Sequence, residues 1–270
     1  MAQERVAIVT GVSSGIGRTT AEVLARNGFR VYGSVRHLKG ADAPPPGVKL
    51  VTLDVRHEDS VEACARRVLD EAGRIDLLVN NAGMTLHGAV EETSIDEAKS
   101  LFETNFFGVH RVTRAVLPVM REQGSGRIVN IASIGGFVAM PFQPFYCASK
   151  HALEGYTESL DHEVRRFGIR AIIVEPGYIR TEIGRKSQGV KTHLEAYKPD
   201  YKAATSRAVH EIETGDSTEA VARVVLKAAT EPFPGFRYTA GRGAGTLRLL
   251  HWTLPGTMFD QGVRKHFGLK

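Results

Sequence analysis

The 270-residue sequence has little cysteine and tryptophan and no long apolar run. Its two cysteines, Cys64 and Cys147, cannot provide a disulfide framework for a chain of this size, and we interpret Cys147 as a small apolar filler. No stretch of about 18 uncharged apolar residues occurs, so no spanning helix is predicted. The N-terminus lacks the basic, apolar and small-residue regions of a signal peptide. These absences together predict a cytoplasmic protein.

The positive charge is confined to one end of the chain. The net charge is +5, and the segment from Arg237 onward, with six Lys or Arg against Asp260, carries all of it. A nucleic-acid-binding protein usually spreads a basic face over its main fold, so no nucleic-acid partner is expected. The sequence also lacks His-Glu-x-x-His and Cys-x-x-Cys spacings, so no metal site is predicted.

Short apolar segments alternate with segments of helical periodicity. The predicted strands are Arg5–Val9, Arg30–Val35, Val48–Leu53, Ile75–Val79, Arg127–Ile131 and Arg170–Val174. Helices are predicted from the first glycine turn to Asn27, and at Ser60–Ala72, Ser94–Met120 and Phe145–Phe167. Apolar strands alternating with helices are typical of an α/β doubly wound parallel sheet with helices on both faces. Without linkers or repeats, residues 1–270 are predicted to form one domain, with no helix in the proline-rich segment 37–47.

A glycine-rich turn, Thr10-Gly-Val-Ser-Ser-Gly-Ile-Gly17, lies between the first strand and the first helix. Glycine lets the backbone approach a pyrophosphate, and the free N–H groups and dipole of the helix N-terminus favour anions. The spacing Gly-x-x-x-Gly-x-Gly differs from the commoner Gly-x-Gly-x-x-Gly. A simple tight turn is the alternative, but the position after a strand favours a nucleotide site.

Tyr146 and Lys150 lie four residues apart at the start of the predicted helix 145–167, so both project from one face. A free tyrosine titrates near ~10, and a neighbouring ammonium favours the phenolate and lowers that pKa. The pair is a candidate general acid/base. An ordinary helix with a solvated lysine is the alternative interpretation.

The glycine turn and the Tyr-x-x-x-Lys pair occur in order with Asp54, Asn80–Gly83, Asn105, Ser133 and Pro176-Gly177 with Thr181. In this set the chain resembles the short-chain dehydrogenase/reductase family up to about residue 240. The segment Val31–Arg36 and a looser likeness beyond Gly241 resemble its hydroxysteroid and retinol dehydrogenases. The resemblance implies a Rossmann-like fold and an oxidoreductase that interconverts a ketone or aldehyde and an alcohol with a nicotinamide cofactor. It also implies a homo-oligomer, a dimer or a tetramer.

The resemblance further implies roles for individual residues. Tyr146 would be the general acid or base, and Lys150 would lower its pKa and hold the nicotinamide ribose. Ser133 would orient the substrate oxygen, and Asn105 would hold a water that relays protons to Lys150. The implied cofactor-binding residues are Gly11, Ser13, Ser14, Gly15, Ile16, Gly17, Arg36, Asp54, Val55, Asn81, Ala82, Gly83, Tyr146, Lys150, Pro176, Gly177 and Thr181.

The end of the second strand predicts a preference for NADP(H). An NAD enzyme of this fold typically places Asp or Glu there, whereas this chain has Val35 followed by Arg36. A guanidinium can pair with a 2′-phosphate bidentately, and the Ser13 hydroxyl is placed to add a contact. A solvated strand-end arginine is the alternative.

A bulky apolar substrate is predicted from two further segments. The pocket wall is expected to include Ile134, Phe137, Met140, Phe142 and Phe145, and residues 178–217 are expected to form a lid with a helical pattern interrupted by Pro199. The extension 241–270 is expected to pack over the cleft or a neighbouring subunit with its charges in water. The alternative is an amphipathic contact with an anionic membrane. A non-catalytic NADP(H)-sensing module and a sugar-nucleotide epimerase or dehydratase remain as other functions.

Overall fold

The computed structural model describes residues 4–38, 43–181 and 188–269. Its main sheet is parallel, in the order β3-β2-β1-β4-β6-β7-β9, which confirms the predicted doubly wound fold. The strands are β1 Arg5–Val9, β2 Phe29–Val35, β3 Val48–Thr52, β4 Leu77–Asn80, β6 Gly126–Ile131, β7 Ile169–Pro176 and β9 Arg237–Ala240. A small second sheet pairs β5 Leu86–His87 with β8 Gln188–Gly189.

Helices cover both faces of the main sheet. They are α1 Gly15–Arg26, α2 Glu58–Ala72, α3 Ile95–Phe102, α4 Gly108–Gln123, α5 Pro144–Val164, α6 Lys198–Glu213, α7 Thr218–Thr230, α8 Ala244–Thr253 and α9 Gly256–His266. Successive strand residues point to opposite faces. Ala7 and Val9 of β1 therefore pack with α1 and α7, whereas Val6 and Ile8 pack with α2, α4 and α5. Burial on both faces explains why the strands are almost wholly apolar.

The helix predicted over 94–120 is interrupted at one place. Five residues, Glu103–Phe107, form a π-helical turn between α3 and α4. The predicted interruption at Pro199 is wrong, because this proline lies in the first turn of α6, where an N–H has no intrahelical partner to lose. As predicted, the described parts of 37–47, which are 37–38 and 43–47, contain no helix.

The elements that were not predicted from the sequence include the edge strand β9 and the helix α7. The edge strand β9 has one buried residue, so it shows no apolar run. Helix α7 buries Val221, Ala222, Val225 and Ala228, a helical spacing that was available in the sequence. Within the described ranges, no helix is long and apolar enough to cross a bilayer.

Candidate active site

The glycine turn is packed so closely that side chains would not fit. A Cβ built on Gly17 would lie 2.3 Å from both Nδ2 of Asn81 and the carbonyl oxygen of Gly11. Gly11 and Gly15 have φ values of 72° and 61°, a left-handed conformation that glycine adopts without strain. Gly15 also faces Thr181, with 3.7 Å between its built Cβ and the threonine side chain. Ser13 of the turn is exposed, and Ser14 and Ile16 are partly exposed.

This turn fits the pyrophosphate of a dinucleotide. Helix α1 begins at Gly15, and its N-cap residue Ser14 makes no side-chain capping hydrogen bond. The first N–H groups of the helix therefore point toward the turn, and they can receive an anion. Thr181, in the loop that follows β7, faces the turn across this space.

Thr10 connects the turn to the strand end that follows β4. Its Oγ1 accepts hydrogen bonds from the backbone N–H groups of Asn81 and Ala82, both at 2.9 Å. The Asn81 side chain returns to the turn by donating to the carbonyl oxygens of Thr10 and Gly11. A Cβ on Gly11 would lie 3.0 Å from Cα of Ala82. Two predicted segments, 10–17 and 80–83, are thus joined through a threonine to which no role was given.

Asn105 lies in the π-helical turn and is 1 % exposed. Its Oδ1 accepts from the N–H of Met84 at 2.9 Å, and its Nδ2 donates to the Met84 carbonyl and to Oγ of Ser149. A Cβ on Gly83 would lie 3.4 Å from Oδ1 of Asn105 and 3.9 Å from Nζ of Lys150. Asn105 and Lys150 therefore both lie next to Gly83. π-Turns inside helices often occur at functional sites.

Ser133, Tyr146 and Lys150 converge at the carboxyl end of the sheet. Oγ of Ser133 accepts from the N–H of Gly135 at 3.0 Å, and the Ser133 side chain lies close enough to the Tyr146 phenol to oppose the rise of its pKa. A Cβ on Gly135 would lie 3.1 Å from Cε1 of Tyr146, so glycine permits this approach. Nζ of Lys150 lies 5.9 Å from the centre of the tyrosine ring. Tyr146 stays partly exposed, whereas Lys150 is buried.

The predicted lowering of the Tyr146 pKa is wrong in direction. Burial raises the pKa of Tyr146 to about 12, against the opposing effect of the Ser133 hydrogen bond. Burial also lowers the pKa of Lys150 to about 8. The Lys150 ammonium donates to the carbonyl oxygen of Ile131 at 2.9 Å. Desolvation therefore dominates both pKa shifts, and the Tyr146 phenol is protonated at neutral pH.

The predicted adenine end lies at the ends of the neighbouring strands β2 and β3. Arg36 is exposed directly after the buried Val35. The Asp54 carboxylate accepts from Nε and Nη2 of Arg56, and these hydrogen bonds lower its pKa to about 2. Val55 turns its side chain into the core, where it is 6 % exposed. Its side chain is therefore a packing group.

The predicted pocket wall forms one apolar cluster with the C-terminal extension. Ile134, Phe137 and Met140 are buried against residues of α6, α8 and α9. Phe145 belongs to a second cluster, with Leu86 and Leu101. In the first cluster, with Ile134, Phe137 and Met140, the lid and the C-terminal extension contribute Tyr178, Ala204, Ala208, Ala244, Leu247, Phe259, Val263 and Phe267.

Two expectations for the lid and the extension need qualification. Residues 182–187 of the predicted lid lie outside the described residues. The extension's charges are not all in water, since Arg248 pairs with Glu175, which is 0 % exposed, and lies 4.9 Å from the Phe137 ring centre. Pro176 and Gly177 follow that glutamate, and the N–H of Gly177 donates to the carbonyl of Ala240.

The family model for short chain dehydrogenase matches residues 5–191. The chain is 34% identical over 274 residues to a 3-ketodihydrosphingosine reductase of Bacteroides thetaiotaomicron, covering 99% of this chain and 100% of that protein. It is 36% identical over 253 residues to the 17-beta-hydroxysteroid dehydrogenase type 1 of Homo sapiens, covering 86% of this chain and 76% of that protein.

Solved structures give the same result. A short-chain dehydrogenase from Streptomyces avermitilis superposes with a TM-score of 0.82 at 35% identity, covering 98% of this chain and 99% of that one. A Burkholderia phymatum short-chain dehydrogenase/reductase in complex with NAD gives 0.77 at 26% identity, covering 93% and 95%. ElxO with NADP bound gives 0.76 at 26% identity, covering 90% and 99%. The chain belongs to the short-chain dehydrogenase/reductase family of oxidoreductases, which act on CH–OH and C=O groups with a nicotinamide dinucleotide.

Proposed function

We propose that the protein is an NADP(H)-dependent oxidoreductase that interconverts a ketone or aldehyde and an alcohol on a bulky apolar substrate, with Tyr146 as the general acid/base. The convergence of Tyr146, Ser133 and Lys150 supports this proposal most directly. The tyrosine is partly exposed, so a carbonyl oxygen can reach it. A module that only senses NADP(H) does not require a protonated phenol with a serine beside it.

A bound nicotinamide dinucleotide supplies or accepts the hydride. The glycine turn, Asn81–Gly83 and Thr181 would hold it, with Pro176 and Gly177 at the nicotinamide end. Tyr146 donates its phenolic proton to the carbonyl oxygen during reduction and takes the hydroxyl proton during oxidation. Ser133 accepts from the Gly135 N–H, and its hydroxyl would orient the substrate oxygen beside Tyr146. Lys150 and Asn105, which both lie next to Gly83, conduct the replacement proton toward Tyr146, with Asn105 holding a water that links Lys150 to solvent.

The preference for NADP(H) rests on Arg36. Its exposed position after Val35 leaves the guanidinium free to meet a 2′-phosphate, and no acid stands at the strand end to repel one. Val35→Asp combined with Arg36→Ala should reverse or erase the preference. The measurement is the Kd for NADPH and for NADH by fluorescence quenching. A wild-type protein that binds NADH more tightly than NADPH would contradict the assignment.

The substrate class rests on the apolar wall. Phe137, Met140 and Leu247 present hydrocarbon rather than charge near Tyr146. A turnover screen of ketones and secondary alcohols with both cofactors tests this, and rates should rise from small polar ketones to sterol-like and long-chain ketones. Binding of NADPH without turnover of any carbonyl compound would favour the sensing module instead.

We also propose that the protein is a cytoplasmic homo-oligomer, a dimer or a tetramer. Phe107, which is 46 % exposed, stacks edge-on against Phe106, and Phe106 in turn against Tyr156 of α5, giving an aromatic surface that a second copy can cover. Light scattering of the purified protein measures the assembly. A monomer at micromolar concentration would contradict it.

A second candidate role for the C-terminal extension is contact with an anionic membrane. The outward faces of α8 and α9 expose Leu249, Trp252 and Met258, close in sequence to Arg264 and Lys265. Such contact predicts co-sedimentation with phosphatidylserine vesicles that weakens with salt. Trp252→Ser should reduce it while NADPH binding is retained. Protein that stays in the supernatant at low salt excludes this role.

A further inference from the structure

A buried cluster of charged side chains ties the C-terminal extension to the sheet. The cluster joins Glu154 on α5, Glu175 at the end of β7, Arg237 in β9 and Arg248 on α8. Oε1 of Glu175 accepts hydrogen bonds from both guanidinium groups, at 2.5 Å from Nη1 of Arg248. Arg237 also donates to Glu154. Glu154 and Glu175 are 7 % and 0 % exposed, so these pairs are shielded from water.

Arg248 extends this cluster to the substrate side. Its guanidinium lies 4.9 Å from the ring centre of the wall residue Phe137, whose ring is 5.8 Å from that of His251 on the same helix. Glu175 directly precedes Pro176 and Gly177. A Cβ built on Gly177 would lie 3.4 Å from Cβ of Ala244, at the start of α8. One guanidinium therefore links α8, the pocket wall and the strand end at the nicotinamide side.

The ion pair between Arg248 and Glu175 fixes the position of α8 along the pocket wall. Apolar packing is non-directional, so the apolar face of α8 alone would allow the helix to slide along the wall. A buried carboxylate, in contrast, holds its donors at defined points, and removing one partner leaves an uncompensated charge. Burial raises the pKa of Glu175 to about 7, and Arg248 opposes this rise. The Arg248 guanidinium on α8 thus favours the charged form of Glu175, which Arg237 also contacts.

We propose that Glu175 and Arg248 are positioning residues for the substrate: their ion pair holds α8 and Phe137 in register with Pro176-Gly177, so that a ketone is aligned with Tyr146. The kinetic part of this proposal rests on the proposed function. The structural part, the attachment of α8, does not.

The test compares Arg248→Met with a matched surface variant, Arg242→Met. Arg242 lies in the same extension, pairs with Asp216 and is 86% exposed, so it loses the same charge outside the cluster. Hydrogen exchange read by mass spectrometry should be faster by about tenfold or more across α8 in Arg248→Met, with β1, β4 and β6 unchanged. In Arg242→Met, exchange should match the wild type. Unchanged α8 exchange in Arg248→Met, or equal changes in both variants, overturns the proposal.

The kinetic readout separates positioning from a structural tie. In Arg248→Met the KM for a ketone should rise by about fivefold or more, while the Kd for NADPH stays within about twofold. The pocket wall binds the substrate equally in the ground state and the transition state, and loss of such binding raises KM. Arg248→Lys should recover part of the loss. Faster exchange with an unchanged ketone KM would make the cluster a structural tie and overturn the positioning role.

The test can still be carried out if Arg248→Met is insoluble or if the wild type turns over no ketone. Should Arg248→Met give no soluble protein, Arg248→Lys and Glu175→Gln carry the same comparison. Should the wild type turn over no ketone, the proposed function fails, and the exchange comparison still decides whether the ion pair holds α8.

Discussion

Replacing Thr10 by valine removes one oxygen atom from the junction beneath the cofactor turn. Thr10 is 1 % exposed, and its Oγ1 is the acceptor for the N–H groups of Asn81 and Ala82. Valine has nearly the same shape but no acceptor, so both N–H groups lose their partner. Each such loss costs about 1–3 kcal/mol in buried surroundings. Because Asn81 and Ala82 are partly exposed, we expect a combined loss near the lower end, about 2 kcal/mol in the free energy of unfolding.

The assay is urea unfolding together with the Kd for NADPH. Thr10→Val should unfold more easily and bind NADPH more weakly, since Asn81 and Ala82 lose the contact that sets their position. Thr10→Ser is the matched control, because it keeps the oxygen and loses one methyl group. It should keep the wild-type Kd at a cost of about 1 kcal/mol in stability. A Thr10→Val protein with wild-type stability and wild-type Kd would show that the Thr10 hydroxyl does not hold Asn81 and Ala82 in place.

Two further predictions concern the glycine turn and the Lys150 pKa. Gly17→Ala places a methyl group 2.3 Å from Asn81, so the turn must shift and the variant should no longer quench NADPH fluorescence. Gly28→Ala is the control, because its Cβ would have open space around it. It should lose some stability at its positive φ but keep NADPH binding. Ketone reduction should decline as pH rises through about 8, because Lys150, whose lowered pKa is about 8, loses its proton there while Tyr146 keeps its own up to about 12. Initial rates between pH 6 and pH 10 measure this, and a rate that stays flat to pH 10 would contradict it.

Local patterns were enough to predict the sheet, the glycine turn and the Tyr146–Lys150 pair. In each case the chemistry acts within a few residues: glycine where the backbone must approach, and i, i+4 spacing on one helix face. The sign of the Tyr146 pKa shift was not predictable in this way, because it depends on burial by elements distant in sequence. Arg248 was placed in water for the same reason, since its partner Glu175 lies 73 positions away.

Thr10 and Ser149 were passed over although both stand inside the recognised motifs. Their roles are not visible in the sequence, because the groups to which Thr10 and Ser149 hydrogen-bond come near them only in the folded chain. Ser149 accepts from the Asn105 amide and donates to the Tyr146 carbonyl, so it ties the π-turn to the active helix. The edge strand β9 lacked an apolar run because only its last residue, Ala240, is buried.

The most direct test of the proposed function is turnover by Tyr146→Phe, which keeps the ring and removes the proton. We expect a fall in NADPH-dependent ketone reduction of about 10²–10⁴-fold, typical of losing a general acid/base. The Kd for NADPH should stay at the wild-type value, which shows that the fold and the cofactor site are intact. Wild-type turnover in the purified Tyr146→Phe protein would contradict the assignment of Tyr146 as the proton donor.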